Sequence, residues 1–269
     1  QRLFSDIDLR YVRGFDMFLQ KRGCCGNTRK FYFKALRAIL NRANAEGVGS
    51  AATYPFGRGG FEVSKLEEAT AKRYLPAAEL SKLKSTTASN PQCEYARKLF
   101  LFSYYCYGIS FIDMAMLTAA HIKQMEDGDY IVYKRQKIKR QKGVKPISIK
   151  ITPAIRQLIG SLQAASPTVD DLLLPIVTRS GYTGERLYMH IRARYSKYQK
   201  YLRLLAEELG IDFHLTSYVS RHTAAMTLQR NNIPREVISQ MLGHADLETT
   251  NIYLDSFDNG VINEAAKVL

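Results

Sequence analysis

Cys-x-x-Cys motifs and long apolar segments are both missing from this 269-residue sequence. Its four cysteines form no Cys-x-x-Cys pair, which argues against a zinc site, and we expect free thiols in a reducing cytoplasm. They are Cys24, Cys25, Cys93 and Cys106. No apolar run approaches the roughly 20 residues of a membrane-spanning helix, so no membrane partner is expected. The opening residues include several polar ones, unlike a secretory signal, and the chain does not begin with Met, so we expect a piece of a longer protein.

Acidic residues are outnumbered by basic ones. The chain has 39 Lys and Arg against 25 Asp and Glu, which gives a net charge of +14 and an isoelectric point near 9.6. This balance indicates a polyanionic partner, with nucleic acid as the default, but it does not distinguish DNA, RNA and anionic lipid. The first 75 residues carry 14 of the basic residues, which is more than their share of the length.

A second concentration of positive charge lies between residues 134 and 150, where there are eight basic residues and no acidic one. They are Lys134, Arg135, Lys137, Lys139, Arg140, Lys142, Lys145 and Lys150. Segments of β type flank this run at 130–133 and 147–149, which predicts a hairpin with a basic tip. Such a hairpin can enter a groove or follow a phosphate backbone, and a solvated loop is the alternative interpretation.

Helical spacing of apolar residues dominates the rest of the chain. It predicts helices at 6–21, from Asn27 or Thr28 to about 45, and at 78–83, 92–105, 112–117, 153–162, 185–208, 216–230, 234–242, 247–254 and 261–268. The predicted fold class is therefore mainly α with a small β-sheet. A turn-rich stretch after the second helix suggests two domains, a helical one with a linker at 1–70 and a mixed α/β one at 71–269.

Two segments carry the residues of a recognisable site. In one, Leu242-Gly243-His244 is followed by Thr249-Thr250 and then by Tyr253, nine residues after the His. In the other, Arg221-His222 lies in a predicted helix and is followed by small residues. Together they resemble the tyrosine recombinases, the phage-integrase family. The resemblance covers the whole chain, with 1–70 similar to a core-binding domain and 71–269 to a catalytic domain.

The resemblance implies cleavage and rejoining of DNA strands through a 3′-phosphotyrosyl intermediate, with no metal or nucleotide cofactor. Tyr253 would be the nucleophile, and Arg221 would bind the scissile phosphate through charged, forked hydrogen bonds. His244 would donate to that phosphate or orient it. Lys137 would be the general acid toward the 5′ oxygen. The other hairpin lysines at 139 and 142 remain alternatives, because the register of a hairpin cannot be fixed from sequence.

Two positions depart from the family's pattern. Tyr218, three residues before Arg221 and on the same helical face, stands where the family usually has His. A phenol can donate a hydrogen bond to a phosphate oxygen, but it is a poor general base near neutral pH. Ser110, two residues after Gly108, stands where the family has Arg. A branch of the family associated with conjugative transposons and invertible DNA segments resembles this chain there.

A serine at position 110 can bind a phosphate oxygen but brings no charge, and it can also simply cap a helix. Arg97 and Lys98, upstream in the sequence, are candidates for the missing cation. The loss of a charged contact in a catalytic site typically costs a few kcal/mol unless another cation replaces it. The departures at 110 and 218 leave open an alternative function, a catalytically impaired DNA-binding accessory protein, against which the presence of Tyr253, Arg221, His244 and Lys137 argues. A type IB topoisomerase is the enzymatic alternative.

The partners implied by the resemblance are double-stranded DNA, gripped by both domains, and further copies of the chain. A C-terminal helix at 262–269 would dock on a neighbouring protomer to give a tetramer on paired DNA sites, or it would pack on its own domain. A further arm-binding domain, common in integrases, would lie upstream. The sequence does not predict the DNA site, or whether the outcome is integration, excision or inversion.

Overall fold

A computed structural model of the chain describes residues 3–68 and 74–244, together with Thr250 and Leu254. The chain forms two compact units, residues 1–71 and residues 72–269. We refer to them as the N-terminal unit and the C-terminal unit. The nucleophile predicted above, Tyr253, and the predicted helices at 247–254 and 261–268 lie outside the described residues, apart from single positions.

Two helices form the described part of the N-terminal unit, α1 (Leu9–Lys21) and α2 (Gly26–Ala45), with 3-10 turns at Phe4–Asp6 and Val63–Leu66. The first helix begins three residues later than its apolar spacing predicts. The reason is a cap, since the side chain of Asp8 accepts a hydrogen bond from the backbone nitrogen of Tyr11 at 2.7 Å.

The second helix begins earlier than expected. Its cap is Cys25, not Asn27 or Thr28, and its first residue is Gly26. The side chain of Asn27 has other partners: its amide nitrogen donates to the carbonyl oxygen of Glu68 at 2.7 Å, and its oxygen accepts from the backbone nitrogen of Glu68 at 3.3 Å. This pair ties the start of α2 to the segment that follows the second 3-10 turn.

Aromatic rings fill the core of the N-terminal unit. Phe33 of α2 is fully buried. Its ring centroid lies 5.6 Å from that of Phe15, 6.5 Å from that of Phe56 and 4.5 Å from that of Phe61. The loop after α2 thus packs on the two helices through its phenylalanines, and the fold of this unit depends on them.

The C-terminal unit contains seven helices within its described part. They are α3 (Ala77–Ser85), α4 (Pro91–Tyr105), α5 (Phe111–Ala115), α6 (Pro153–Ala165), α7 (Gly184–Glu208), α8 (Ser217–Arg230) and α9 (Arg235–Leu242), with a 3-10 turn at Ala119–His121. Three of them begin after a residue whose side chain caps the helix, namely α4 after Asn90, α5 after Ser110 and α6 after Thr152. Ser110, for example, accepts from the backbone nitrogen of Asp113 and caps α5.

Helix α4 lies at the centre of this unit. It packs against α6, α7 and α8, and its side chains Phe100 and Phe102 are fully buried. The hydroxyl oxygens of Ser103 on α4 and Ser220 on α8 are 2.7 Å apart, so a buried hydrogen bond joins the two helices. This contact fixes the turn of α8 that presents Arg221 to the interior.

A three-stranded antiparallel sheet adjoins the helices, with β1 (Ile122–Met125), β2 (Gly128–Tyr133) and β3 (Ile147–Lys150) in the order β1-β2-β3. The predicted hairpin corresponds to β2 and β3, in which Tyr133 pairs with Ile147. The segment between these strands, residues 134–146, is called the hairpin tip below. The first strand is an addition that the sequence did not predict, because it is short and largely exposed.

The predicted fold class, mainly α with a small β-sheet, is confirmed. Within residues 3–68 and 74–244, no helix is both long and apolar enough to cross a membrane. The same residues contain no group of three or more His, Cys, Asp and Glu side chains placed to hold a metal ion.

The aromatic core of the N-terminal unit allows a matched test of stability. We expect Phe33→Ala to lower the free energy of unfolding of this unit by about 3–5 kcal/mol, because it removes a fully buried ring. Phe31→Ala on the same helix, where 70% of the side chain is exposed, should change it by less than about 0.5 kcal/mol. Urea unfolding followed by circular dichroism measures both, and equal effects would contradict the packing described here.

Candidate active site

A buried guanidinium organises the candidate site. Arg221 lies in the first half of α8 and is 4% exposed. Its Nη1 donates to the carbonyl oxygen of Gly108 at 3.2 Å, and its Nη2 donates to the carbonyl oxygen of Leu242 and to Nε2 of His244, the latter at 2.8 Å. A buried positive charge needs such acceptors, because burial removes its water. Arg221 therefore ties the loop before α5 and the end of α9 to α8.

The loop before α5 approaches Arg221 so closely that a side chain does not fit there. Gly108 has a φ of +74°, which other residues rarely adopt. A Cβ at this position would overlap the Cα, Cβ and Cγ atoms of Arg221. The sequence marked Gly108 as a helix breaker, whereas the structure shows that it makes room for the arginine.

The end of α9 presents His244 to the same arginine. Gly243 takes the left-handed conformation that ends the helix, with a φ of +63°, as its place after a predicted helix indicated. The next residue, His244, lies with its Nδ1 2.7 Å from the hydroxyl oxygen of Thr250. Since a guanidinium can only donate, Nε2 of His244 accepts from Arg221, and the proton of the neutral ring is on Nδ1, which donates to Thr250.

A second hydrogen-bonded chain joins Ser110 to the hairpin tip. The hydroxyl of Ser110 donates to Oδ2 of Asp113 at 2.6 Å. The other carboxylate oxygen of Asp113 accepts from the backbone nitrogen of Gln136 at 2.7 Å. Asp113 is 3% exposed, so these bonds lie in the interior. Ser110 is thus a helix cap and a partner of Asp113, and the start of the hairpin tip is anchored to both.

The last residue of β2, Tyr133, is buried in the same region, next to Asp113 and Arg221. Burial raises the pKa of the Tyr133 phenol, and the nearby carboxylate of Asp113 adds to the rise, while Arg221 and Arg135 oppose it. The guanidinium of Arg135 also reaches α9, since its Nη1 donates to the carbonyl oxygen of Gly243 at 3.4 Å. Nothing in the sequence singled out Arg135 from its basic neighbours.

The predicted general acid, Lys137, lies in the hairpin tip just after the anchored nitrogen of Gln136, and its side chain is exposed. Lys139 and Lys142, the alternatives, are exposed further along the tip. Of the three lysines, Lys137 lies nearest in the chain to the anchored nitrogen of Gln136.

Tyr218 lies at the start of α8, one turn before Arg221, and is 54% exposed. Its ring packs edge-on against that of His222, with the centroids 5.2 Å apart. The helix therefore turns Arg221 to the interior and leaves the phenol at the surface. The structure brings Arg221 and His244 into direct contact, but it does not bring Tyr218 into the buried part of the site.

The candidates for the missing cation upstream of Ser110 have other partners. Arg97 forms a forked pair with Glu94, with both N–O distances 2.7 Å, and donates to the carbonyl oxygen of Leu83. The amine of Lys98 lies 3.9 Å from a carboxylate oxygen of the same Glu94. Both side chains are thus engaged by Glu94, which argues against either as the replacement for the charge absent at Ser110.

The close approach at Gly108 can be tested against a second glycine. We expect Gly108→Ala to lower the free energy of unfolding of the C-terminal unit by more than about 2 kcal/mol, because it adds backbone strain and an overlap with Arg221. Gly160 lies at an exposed position of α6, where an added Cβ meets no atom within 4 Å. Gly160→Ala should instead raise the free energy of unfolding by about 0.5–1 kcal/mol. Thermal and urea unfolding measure both, and a Gly108→Ala variant as stable as the native chain would contradict the geometry.

Comparison with known proteins finds relatives among the recombinases. The chain is 31% identical over 114 residues to tyrosine recombinase XerC of Rhodospirillum centenum and 43% identical over 54 residues to tyrosine recombinase XerD of Halalkalibacterium halodurans. The matched segments make up 42% and 20% of this chain. They span no more than 31% and 18% of the lengths of those two relatives.

Solved structures of similar fold extend this likeness to nearly the whole chain. The Tn1549 transposon integrase in complex with a circular intermediate DNA has a TM-score of 0.69 over 98% of this chain and 86% of that one, at 12% identity. XerH bound to its difH substrate has a TM-score of 0.66 over 97% of this chain and 71% of that one, at 18% identity. At such low identity the likeness shows the fold, that of a two-domain tyrosine recombinase.

The family itself follows from sequence profiles. The profile described as the Phage integrase SAM-like domain matches residues 1–63. The profile described as the Phage integrase family matches residues 73–259, which is more than half of the chain and includes Arg221, His244 and Tyr253. The resemblance seen in the motifs is confirmed, and the chain belongs to the phage integrase family, the tyrosine recombinases.

Proposed function

We propose that this chain is a site-specific DNA recombinase that cleaves and rejoins strands of duplex DNA through a 3′-phosphotyrosyl link to Tyr253. Membership of the family supports strand transfer on DNA as the activity. The observation that carries the proposal is the hydrogen bond from buried Arg221 to His244, which precedes Tyr253 by nine residues. A protein that merely binds DNA has no need to bury a cation beside a histidine.

In the proposed reaction the phenol of Tyr253 releases its proton to solvent, and its oxygen attacks the phosphorus of one phosphodiester. A bond forms between that oxygen and phosphorus, and the bond from phosphorus to the 5′ oxygen breaks, so the energy of the ester is kept for rejoining. Arg221 binds the non-bridging oxygens and stabilises the charge that develops on them. His244, whose Nε2 accepts from Arg221, acts first as a positioning residue for the guanidinium.

The leaving 5′ oxygen requires a proton, and Lys137 is the proposed donor. Its place in the chain supports this role, because the backbone of the preceding residue, Gln136, is bonded to buried Asp113. Because Lys137 directly follows this anchored backbone, its amine can return to the same position near the phosphate. Lys139 and Lys142 lie further from that point along the exposed tip. Ser110 and Tyr218 are proposed as hydrogen-bond donors to the same phosphate, with no charge of their own.

Duplex DNA is the proposed partner, as it is of the XerH and Tn1549 integrase structures. We propose residues 1–70 as a DNA-binding domain and residues 71–269 as the catalytic domain. In the N-terminal unit, Lys34, Arg37 and Arg58 line one groove, which favours contact with a phosphate backbone. A tetramer on paired DNA sites, inside the cytoplasm, completes the proposal.

A catalytically impaired accessory protein is the second candidate, because Ser110 lacks a charge and Tyr218 is exposed. The two candidates differ in one observable, the covalent link to DNA. The type IB topoisomerase alternative differs in another, since a topoisomerase rejoins the strand that it cut and does not exchange strands between two duplexes.

The first test is covalent capture of DNA. The native chain is incubated with a pool of nicked duplexes of randomised sequence around the nick. Cleavage then releases the short fragment that begins with the new 5′ hydroxyl, and the link is trapped. We expect a protein–DNA adduct on a denaturing gel, and the trapped DNA gives the preferred site. Tyr253→Phe should bind the selected duplex and form no adduct, because it lacks the nucleophilic oxygen.

The matched control for this experiment is Tyr188→Phe, which changes a tyrosine of α7 that is 58% exposed and should form the adduct at the native rate. If the native chain binds the duplex but yields no adduct, the proposal of an enzyme is rejected in favour of the accessory protein. Exchange between two labelled duplexes then separates a recombinase from a topoisomerase.

The second test concerns the proton donor. We expect Lys137→Ala to slow adduct formation by about 10²-fold or more on ordinary DNA. The loss should nearly vanish when sulfur replaces the bridging 5′ oxygen, because the pKa of a thiol is about 8.5 and its anion leaves without a proton. Lys139→Ala and Lys142→Ala, equally exposed, should behave like the native chain on both substrates. Rescue by sulfur in either of these variants instead would assign the proton to that lysine.

A further inference from the structure

A cavity of about 310 Å³ lies between α4 and α7 in the C-terminal unit. Small-molecule sites in proteins span roughly 300–1,000 Å³, so this volume suits a small ligand. The lining includes the buried apolar side chains of Leu99 and Ile176 and four aromatic rings. The rings belong to Tyr95, Phe111, Tyr198 and Tyr201. Such a lining favours a flat, apolar molecule.

Contacts within the protein hold this lining in place. The hydroxyl of Tyr95 donates to the carbonyl oxygen of Pro175 at 2.8 Å, and Nε of Arg194 donates to that of Ile176 at 3.0 Å. The ring of Tyr198 stacks on that of Phe111, with the centroids 5.1 Å apart. A ligand would not have to order these side chains, and that cost otherwise weakens binding.

One polar atom of the lining lacks a partner. Tyr198 is 4% exposed, and its hydroxyl makes no hydrogen bond with any described residue. Burial raises the pKa of this phenol well above its ordinary value, so the hydroxyl keeps its proton and can donate. A buried donor without an acceptor costs free energy, which an acceptor on a bound molecule would recover.

The lining is also positively charged. Arg194 and Lys197 belong to it, and none of the described residues that line the cavity is acidic. The nearby ring of His190 responds to this charge. Its pKa is lowered first by burial and then by the two cations, together with Arg179. The cavity therefore favours an anionic group.

The guanidinium of Arg194 and the hydroxyl of Tyr198 lie near one point, the phenol of Tyr95. Burial raises the pKa of Tyr95, and the adjacent Arg194 opposes that rise. The same Tyr95 is among the groups that add to the rise in the pKa of Tyr198. A single carboxylate can therefore meet both donors.

The cavity and the candidate active site adjoin different faces of α7. Arg194 and Lys197 are three residues apart and share the face that lines the cavity. Tyr195 and Gln199 point to the other side and contact the start of α8. The hydroxyl oxygens of Tyr195 and Ser217 are 3.1 Å apart, and Oε1 of Gln199 accepts from the backbone nitrogen of Ser217 at 2.9 Å.

We propose that this cavity is a binding site for a small organic acid, a flat aromatic molecule with one carboxylate. Its ring packs among the aromatic side chains, and its carboxylate accepts from the hydroxyl of Tyr198 and the guanidinium of Arg194. Lys197, which is exposed, adds a second positive charge beside the carboxylate. The inference does not depend on the proposed function, because it concerns a different face of α7.

The test measures binding of naphthoate to the full chain by isothermal titration calorimetry. We expect one saturable site with a Kd of about 1 mM or below. Naphthamide has the same shape and no charge. It should bind at least about tenfold more weakly, because its hydrogen bonds with the cavity are not assisted by charge.

Two arginines of α7 provide a matched pair of variants. Arg194→Gln should weaken the binding of naphthoate at least about tenfold and that of naphthamide much less, because the variant removes a charge. Arg192→Gln removes an exposed arginine outside the lining and should bind both molecules like the native chain. Comparing two ligands within one variant separates a lost charge from a damaged cavity.

A third variant, Tyr198→Phe, removes only the unpartnered hydroxyl. We expect it to bind naphthoate about tenfold more weakly, while its Tm does not fall, because the hydroxyl has no protein partner to lose. A lower Tm with native affinity would show instead that the hydroxyl serves the fold.

The inference is overturned if naphthoate shows no saturable binding or if naphthamide binds as tightly. Native affinity for naphthoate in Arg194→Gln or in Tyr198→Phe would overturn it as well. None of these results bears on the proposed function, because adduct formation with DNA is measured without naphthoate. Failure to form the adduct would likewise leave the organic-acid site standing.

Discussion

The burial of one positive charge constrains the rest of the C-terminal unit. Arg221 is 4% exposed, and a guanidinium in that position must have acceptors on several sides. Its acceptors are main-chain carbonyls at the end of the α4–α5 loop and at the end of α9, together with the ring of His244. The hydroxyl pair of Ser103 and Ser220 fixes α8 beside α4, so the helix cannot rotate to release the charge.

Close packing around Arg221 and the turn that binds it requires glycine at two positions. Gly108 has no side chain because any Cβ would overlap Arg221, and Gly243 has none because a Cβ would overlap Ile147 at the start of β3. Both have positive φ angles, which cost other residues about 1–2 kcal/mol. The turn that carries His244 thus packs between the arginine and the sheet, and the sheet acts on the site through packing as well as through its charged tip.

Local signals predicted much of this architecture. The cap at Ser110, the Thr152-Pro153 helix start and the left-handed end at Gly243 are set by residues within one turn, and the structure contains all three. Motifs, and not the local physics of either helix, indicated that Arg221 and His244 belong to one site. Strand β1 escaped prediction because it is short and largely exposed. Arg135 and the approach of Gly108 to Arg221 depend on contacts between residues more than 100 positions apart, for which a single sequence offers no signal.

Buried Asp113 links two elements of the site through hydrogen bonds. With a serine at position 110, the hydroxyl caps α5 and donates to one oxygen of Asp113, and the other oxygen is left to bind the backbone of Gln136. The carboxylate therefore joins the helix cap to the start of the hairpin tip, one residue after Arg135. The start of the hairpin tip is therefore held by a hydrogen-bonded carboxylate and not by packing alone. The exposed cations of the tip follow that fixed point, so any contact that they make with a phosphate backbone is coupled to the helix cap at Ser110.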